Sequence, residues 1–180
     1  TIAIGEPRYE VQVDNDPEDG EVDNPNENKG RVRVFRYVSG SWTQLGTDLI
    51  GAGVTNLFGT SVSLSNTGTA LAVGGPGHDS NKGHVRVYQY NAGSWGQLGS
   101  DIDGTAGIKF GTSVSLSSNG THVAIGGPYH NTNMGRVQVW SYSIGSGWTQ
   151  LGGNMDGVGG GDLLGSCVSL SEPVTASGTD

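Results

Sequence analysis

The densest run of potential chemistry in this sequence is a string of carboxylates. Asp14, Asp16, Glu18, Asp19 and Asp23 fall close together around Gly20, with Glu27 beyond them. Side-chain oxygens spaced by two around a glycine are suited to wrap one hard cation, and Ca²⁺ takes about six to eight such oxygens. The pattern has two faults as a calcium loop: Asp19 directly precedes the glycine, and no Glu stands at the closing position. A solvated acidic loop is the other reading. Ca²⁺ is the only cofactor the sequence suggests.

Two further residue types recur at fixed places. His78 and His130 each follow a proline by two residues, in loops that correspond to one another, and His84 and His122 open apolar segments. No two of the four have chelating spacing along the chain. His78 and His130 are candidate ligand-binding residues of one common face, or loop residues that hydrogen-bond locally. Trp42, Trp95 and Trp148 recur once per repeat in Ser41-Trp-Thr-Gln-Leu-Gly, Ser94-Trp-Gly-Gln-Leu-Gly and Gly147-Trp-Thr-Gln-Leu-Gly. Exposed, such rings would stack on sugars; packed, they would join one repeat to the next. Asn119-Gly120-Thr121 is a sequon, so Asn119 is a candidate glycosylation site. No nucleophile elbow, phosphate loop or paired histidine ligand accompanies these residues, so an enzyme is not expected.

What must position them is a repeat. Phe58-Gly-Thr-Ser-Val-Ser-Leu-Ser returns at Phe110 and, altered, at Leu164-Gly-Ser-Cys-Val-Ser-Leu-Ser, a period of about 52 residues. An apolar run closed by proline follows: Thr1-Ile-Ala-Ile-Gly-Glu-Pro, Ala70-Leu-Ala-Val-Gly-Gly-Pro and His122-Val-Ala-Ile-Gly-Gly-Pro. A third segment opens on glycine: Gly30-Arg-Val-Arg-Val-Phe, Gly83-His-Val-Arg-Val-Tyr and Gly135-Arg-Val-Gln-Val-Trp. The tryptophan segment is the fourth. Val62 and Leu64 alternate with Ser61 and Ser63, a period of two that marks a strand. Ser65-Asn-Thr-Gly, Ser117-Ser-Asn-Gly, Ser39-Gly40 and Ala92-Gly93 carry hairpin-turn chemistry. The expected fold is all-β, with β-propeller blades built as about three four-stranded antiparallel repeats, near 1–68, 69–120 and 121–180. Residues 8–29, with the acidic run, are an insertion between the second and third strands of the first repeat.

Composition agrees. Glycine supplies 33 of the 180 residues without a Gly-X-Y period, which excludes collagen and suits short strands with tight turns. The net charge is −8, and nine of the seventeen acids lie between Glu6 and Glu27, so no basic patch invites nucleic acid. No apolar run nears the roughly 18 residues of a membrane helix, so no membrane insertion is expected in this segment. The single Cys167 replaces Ser61 and Ser113 of the other repeats and reads as a small buried residue.

The spaced motifs resemble the FG-GAP repeat, the blade unit of the integrin α-subunit propeller. Phe58-Gly59 and Phe110-Gly111 match the first half of that name, and Gly74-Gly75-Pro76 and Gly126-Gly127-Pro128 stand where the family has Gly-Ala-Pro. The third repeat departs at Leu164-Gly165. The family's Asp-rich calcium turn is replaced by Ser65-Asn66-Thr67-Gly68 and Ser117-Ser118-Asn119-Gly120, which hold no carboxylate, so the family's usual calcium sites are not expected. The resemblance implies an extracellular or cell-surface adhesion or structural module. Its propeller loops, led by the acidic insertion, would contact a protein, matrix or glycan partner. A carbohydrate-binding propeller is the alternative, and a non-catalytic part of a hydrolase a weaker one. Three blades are fewer than the four to eight that close a ring. Further blades of a longer propeller, or pairing with another copy, are therefore expected.

Clustered carboxylates repel one another without a cation. Millimolar Ca²⁺ is therefore expected to order the segment around Asp14 to Asp23. Isothermal titration giving no heat, with no ion beside these side chains in crystals grown with calcium, would refute this.

Overall fold

The computed structural model describes residues 1–10 and 28–171. The carboxylates Asp14, Asp16, Glu18, Asp19 and Asp23 lie outside the described residues.

The chain is all-β. Three antiparallel sheets follow one another along the sequence, with two short helical turns between strands. The first sheet holds β1 (Ile2–Glu6), β2 (Arg31–Val38) and β3 (Ser41–Gln44) in that order, with β4 (Leu49–Ile50) also on β2. In the second, β5 (Ser61–Leu64), β6 (Ala70–Gly75), β7 (His84–Asn91) and β8 (Ser94–Gln97) form a meander, and β9 (Ile102–Asp103) pairs with β7. The third runs through β10 (Ser113–Leu116), β11 (His122–Gly127), β12 (Arg136–Ser143) and β13 (Gly147–Asp156). The fourth strand of the repeat is thus broken in the first two sheets and continuous, with a bulge between Val137 and Val139 on its partner, in the third. No ring of sheets closes among the described residues.

The expected turns are present. Gly68 and Gly120 have φ of +67° and +76°, and the hydroxyls of Ser65 and Ser117 accept from the amides of Ala70 and His122 at 3.0 and 2.9 Å. Ser39-Gly40 and Ala92-Gly93 have positive φ at both residues, the geometry whose twist matches a two-residue hairpin. The turns α1 (His78–Asn81) and α2 (His130–Asn133) are left-handed in their middle: φ is +44° and +56° at Asp79 and Ser80, and +43° and +55° at Asn131 and Thr132.

The core lies between sheets rather than within one. Val32, Val34 and Phe58 pack with Leu71, Val73 and Tyr88 between the first and second. Val85, Val87, Ile102 and Phe110 pack with Val114, Leu116, Val123 and Ile125 between the second and third. The same serine contacts recur along the array, from the second sheet to the third and from the third sheet to the segment 165–170. Ser61 Oγ donates to the Gly111 carbonyl at 2.8 Å, and Ser113 Oγ to that of Gly165 at 2.7 Å. Ser63 Oγ accepts from the Leu116 amide, and Ser115 Oγ from that of Leu170. The serine face of β5 and β10 therefore joins each of these strands to the segment of chain that follows its repeat.

Cys167 departs from expectation: it is exposed. Ser61 and Ser113 are half-buried because Gly74 and Gly126 pair with them from β6 and β11. Among the described residues no second strand lies against Cys167–Leu170, so nothing covers the thiol, and this segment is held at β10 without forming a regular strand.

The tryptophans divide. The half-buried Trp95 donates its indole N–H to the Leu45 carbonyl at 2.9 Å, and Trp148 to that of Leu98 at 2.8 Å. Gly46 and Gly99 make room, since a Cβ there would lie 2.9 Å from the Trp95 or Trp148 ring. Trp42 is 56% exposed and touches Tyr37. Trp95→Ala, which strips a packed ring and leaves the Leu45 carbonyl without its donor, is expected to cost about 2–4 kcal/mol. Trp42→Ala is expected to cost less than about 1 kcal/mol. Urea unfolding of the two variants checks the difference; equal losses would contradict it.

Candidate functional site

The first residues of β2, β7 and β12 are Arg31, His84 and Arg136, which occupy one register position. Both arginines are ion-paired. Arg31 holds Glu6 at 2.6 Å and Asp48 at 3.0 Å, and stacks on Tyr9 at 3.8 Å. Arg136 forks onto Asp156 at 2.6 and 2.8 Å. These contacts hold the Glu6 and Asp156 carboxyls below the usual range, chiefly through the hydrogen bonds from Arg31 and Arg136.

His84 breaks the pattern. Its side chain is fully buried, and its Nδ1 lies 3.2 Å from Asp101 Oδ2. Asp101 is clasped by Arg86, with Nε at 2.9 and 3.0 Å and Nη2 at 2.9 Å, and receives Gln97 Nε2 at 2.8 Å. Burial works against that carboxylate, but the hydrogen bonds from Arg86 and Gln97 outweigh it and keep its pKa low. A fixed carboxylate at Nδ1 selects the Nδ1–H tautomer of a neutral ring. Burial first, then the neighbouring His78 and Arg86, push the His84 pKa down to about 4 against the pull of Asp101.

That tautomer leaves the His84 Nε2 lone pair facing inward, where it is buried and has no hydrogen-bond partner. Asn56 Oδ1 is in the same condition. The two converge: a Cβ on Gly75 would lie 2.3 Å from Asn56 Oδ1 and 2.8 Å from His84 Nε2. His78, half-buried at the head of α1, stacks on His84 with ring centroids 4.1 Å apart and planes 13° apart, its Nδ1 3.4 Å from Asn56 Nδ2. Asp103 is the cross-strand partner of His84. One potential ligand atom each from His78, His84 and Asp103 lie within 4.8 Å of one another.

Sequence reasoning placed His78 and His130 on equivalent loops, and both stand at the head of equivalent turns. The structure brings His78 to His84, whereas His130 lies near the Arg136–Asp156 pair. The pairing was invisible to a search for chelating spacing because His78 and His84 meet across a left-handed turn. The signal available was the substitution of histidine at a position where the other repeats have arginine. Asn119 is exposed, and its Oδ1 accepts from the Ser117 hydroxyl and from the amide and hydroxyl of Thr121. The three tryptophans lie apart from this cluster, two of them in the inter-sheet contacts described above.

No protein-family model matches the chain, and a search of curated proteins returns no significant match.

The neutral, buried His84 makes stability depend on acid. Between pH 6.5 and 4 the unfolded chain binds a proton at this residue that the folded chain does not, so stability falls as pH drops through that window. A depression of that size corresponds to roughly 3 kcal/mol. Urea unfolding from pH 7 to 4 is expected to show the decline, and His84→Gln to flatten it. An unchanged slope in the variant would contradict the assignment.

Proposed function

We propose that this chain is a set of β-propeller blades of the FG-GAP kind, serving as a non-catalytic extracellular or cell-surface module for adhesion or structural assembly. One observation carries the reading: successive repeats are joined by an identical two-part lock, and each half of that lock is also presented outward. The lock is an indole from one repeat seated over the Leu-Gly corner of the preceding one, as Trp95 is over Leu45-Gly46 and Trp148 over Leu98-Gly99. Trp42 offers the same indole at 56% exposure, in a sheet whose first strand exposes Ile2 and Ile4 on the other side of β2. Leu151-Gly152 offers the same corner: Gly152 has φ +72° like Gly46 and Gly99, and no atom lies within 4 Å of where its Cβ would be.

The two faces are complementary by construction, because each matches what its counterpart binds inside the chain. A face that exposes apolar strand residues and a large aromatic is an interaction surface. Further blades of the same kind, in the same chain or in another copy, suit both. The partner face proper is the set of loops linking second and third strands, where the acidic insertion stands in the first repeat. That position supports contact with a protein or matrix partner, with Ca²⁺ a candidate cofactor of the acidic run.

A second reading, glycan binding, rests on Trp42 and Tyr37, an exposed aromatic pair with centroids 5.3 Å apart. Light scattering after gel filtration, run beside a glycan array, separates the two. Concentration-dependent self-association that Trp42→Ala abolishes supports the assembly reading. A monomer at all concentrations, with glycan binding lost in Trp42→Ala, would replace it with the second.

A further inference from the structure

The niche around His84 has an internal control. In the third repeat Gly127 stands where Gly75 does, and the side chain facing it is the buried, apolar Ile108 instead of Asn56. The third repeat also has Arg136 in place of His84, with its charge already spent on Asp156. The fold therefore does not need polar atoms in this niche. Among the described residues, the second repeat alone places there a fully buried imidazole with an unpartnered nitrogen, a buried amide oxygen without a partner, a second imidazole and a carboxylate.

We propose that His84, His78 and Asp103, with Asn56 Oδ1 beside them, form a binding site for a late first-row divalent cation, Zn²⁺ above all. Two imidazole nitrogens and a carboxylate are a donor set for such ions, whereas Ca²⁺ and Mg²⁺ take oxygen alone. The outer contacts have the form that metal-binding histidines require. Asp101 receives the Nδ1 proton of His84 and directs its Nε2 lone pair inward, and Arg86 and Gln97 in turn fix Asp101. Lys82 forms its ion pair with Asp79 on the exposed turn and lies close enough to Asp103 for that carboxylate to favour its charge.

The stacked rings define what binding must change. Two parallel imidazoles cannot aim in-plane lone pairs at one ion, so one ring has to turn. His84 is locked by Asp101 and burial; His78 is half-buried and held by one long contact to Asn56. His78 is the ring that turns, and closing on an ion with bonds of about 2.0–2.1 Å draws the carboxylate of Asp103 inward with it. The exposure of Asp103 leaves it free to make that move. This site is independent of the assembly reading, since neither Trp42 nor the Leu151-Gly152 corner takes part.

The test is calorimetric titration of the full 180-residue chain with Zn²⁺ alone, with Co²⁺ absorption as a report on ligand type. One Zn²⁺ per chain is expected, and a Co²⁺ band of the intensity that nitrogen-containing, low-symmetry sites give. His78→Ala and Asp103→Asn are each expected to weaken binding at least tenfold, and His130→Ala to leave it unchanged. Both variants change side chains that are not fully buried, and melts without metal verify that they fold. No Zn²⁺ heat and no Co²⁺ band in the parent chain would overturn the proposal. So would binding that survives both variants, which would put the ion elsewhere, or an equal loss in His130→Ala.

Discussion

The structure depends on how closely backbone can approach backbone where successive repeats meet. The glycine of each Phe-Gly pair lies between the second strands of two repeats. The Gly59 amide donates to Gly74 and that of Gly111 to Gly126, at 2.9 and 3.1 Å. On the other side a Cβ on Gly5, Gly74 or Gly126 would stand 2.0, 2.0 or 1.9 Å from the carbonyl oxygen of Gly59, Gly111 or Gly165. No side chain fits there. Strands come this near only where both lack a Cβ, which gives the glycines of both motifs one physical cause.

From this contact the rest follows. Once the glycine is seated, the preceding Phe58 or Phe110 is carried into full burial at the open end of the previous repeat, its amide bonded to Lys29 or Lys82. The valines of β2 and β7 then face the next sheet, and the core forms between repeats. Such a core makes each sheet dependent on its neighbour, as in other repeat architectures. It also explains the two faces of the assembly reading, since a repeat at either side of the described array presents half of a joint.

Much of this was legible in the residues. The glycine-opened strands, the hairpin turns and the alternation of Val62 and Leu64 with serine rest on local rules, and local rules do not depend on the neighbouring repeat. What escaped depends on that neighbour. Ser61 and Ser63 read only as the small polar half of an alternating strand until the Gly111 carbonyl and the Leu116 amide are brought to them. Cys167 looks buried by analogy with Ser61, yet burial is conferred by the strand opposite. Trp95 could have been a sugar platform or a joint until its indole was seen to reach Leu45. The His78–His84 stack needed both the register of β7 on β9 and the left-handed turn of Asp79 and Ser80, neither of which has a reliable sequence signature. The acidic segment is the one feature whose chemistry remains that of its sequence alone.

The most direct test of the central contact is a pair of glycine substitutions compared by urea unfolding. Gly74→Ala introduces a methyl 2.0 Å from the Gly111 oxygen, whereas Gly96→Ala, in β8, meets nothing within 4 Å. Neither glycine has positive φ, so backbone strain does not confuse the comparison. Gly74→Ala is predicted to cost about 3 kcal/mol or more, and Gly96→Ala to stay within about 0.5 kcal/mol of the parent. Equal stability of the two variants would contradict the claim that glycine-to-carbonyl approach holds the repeats together.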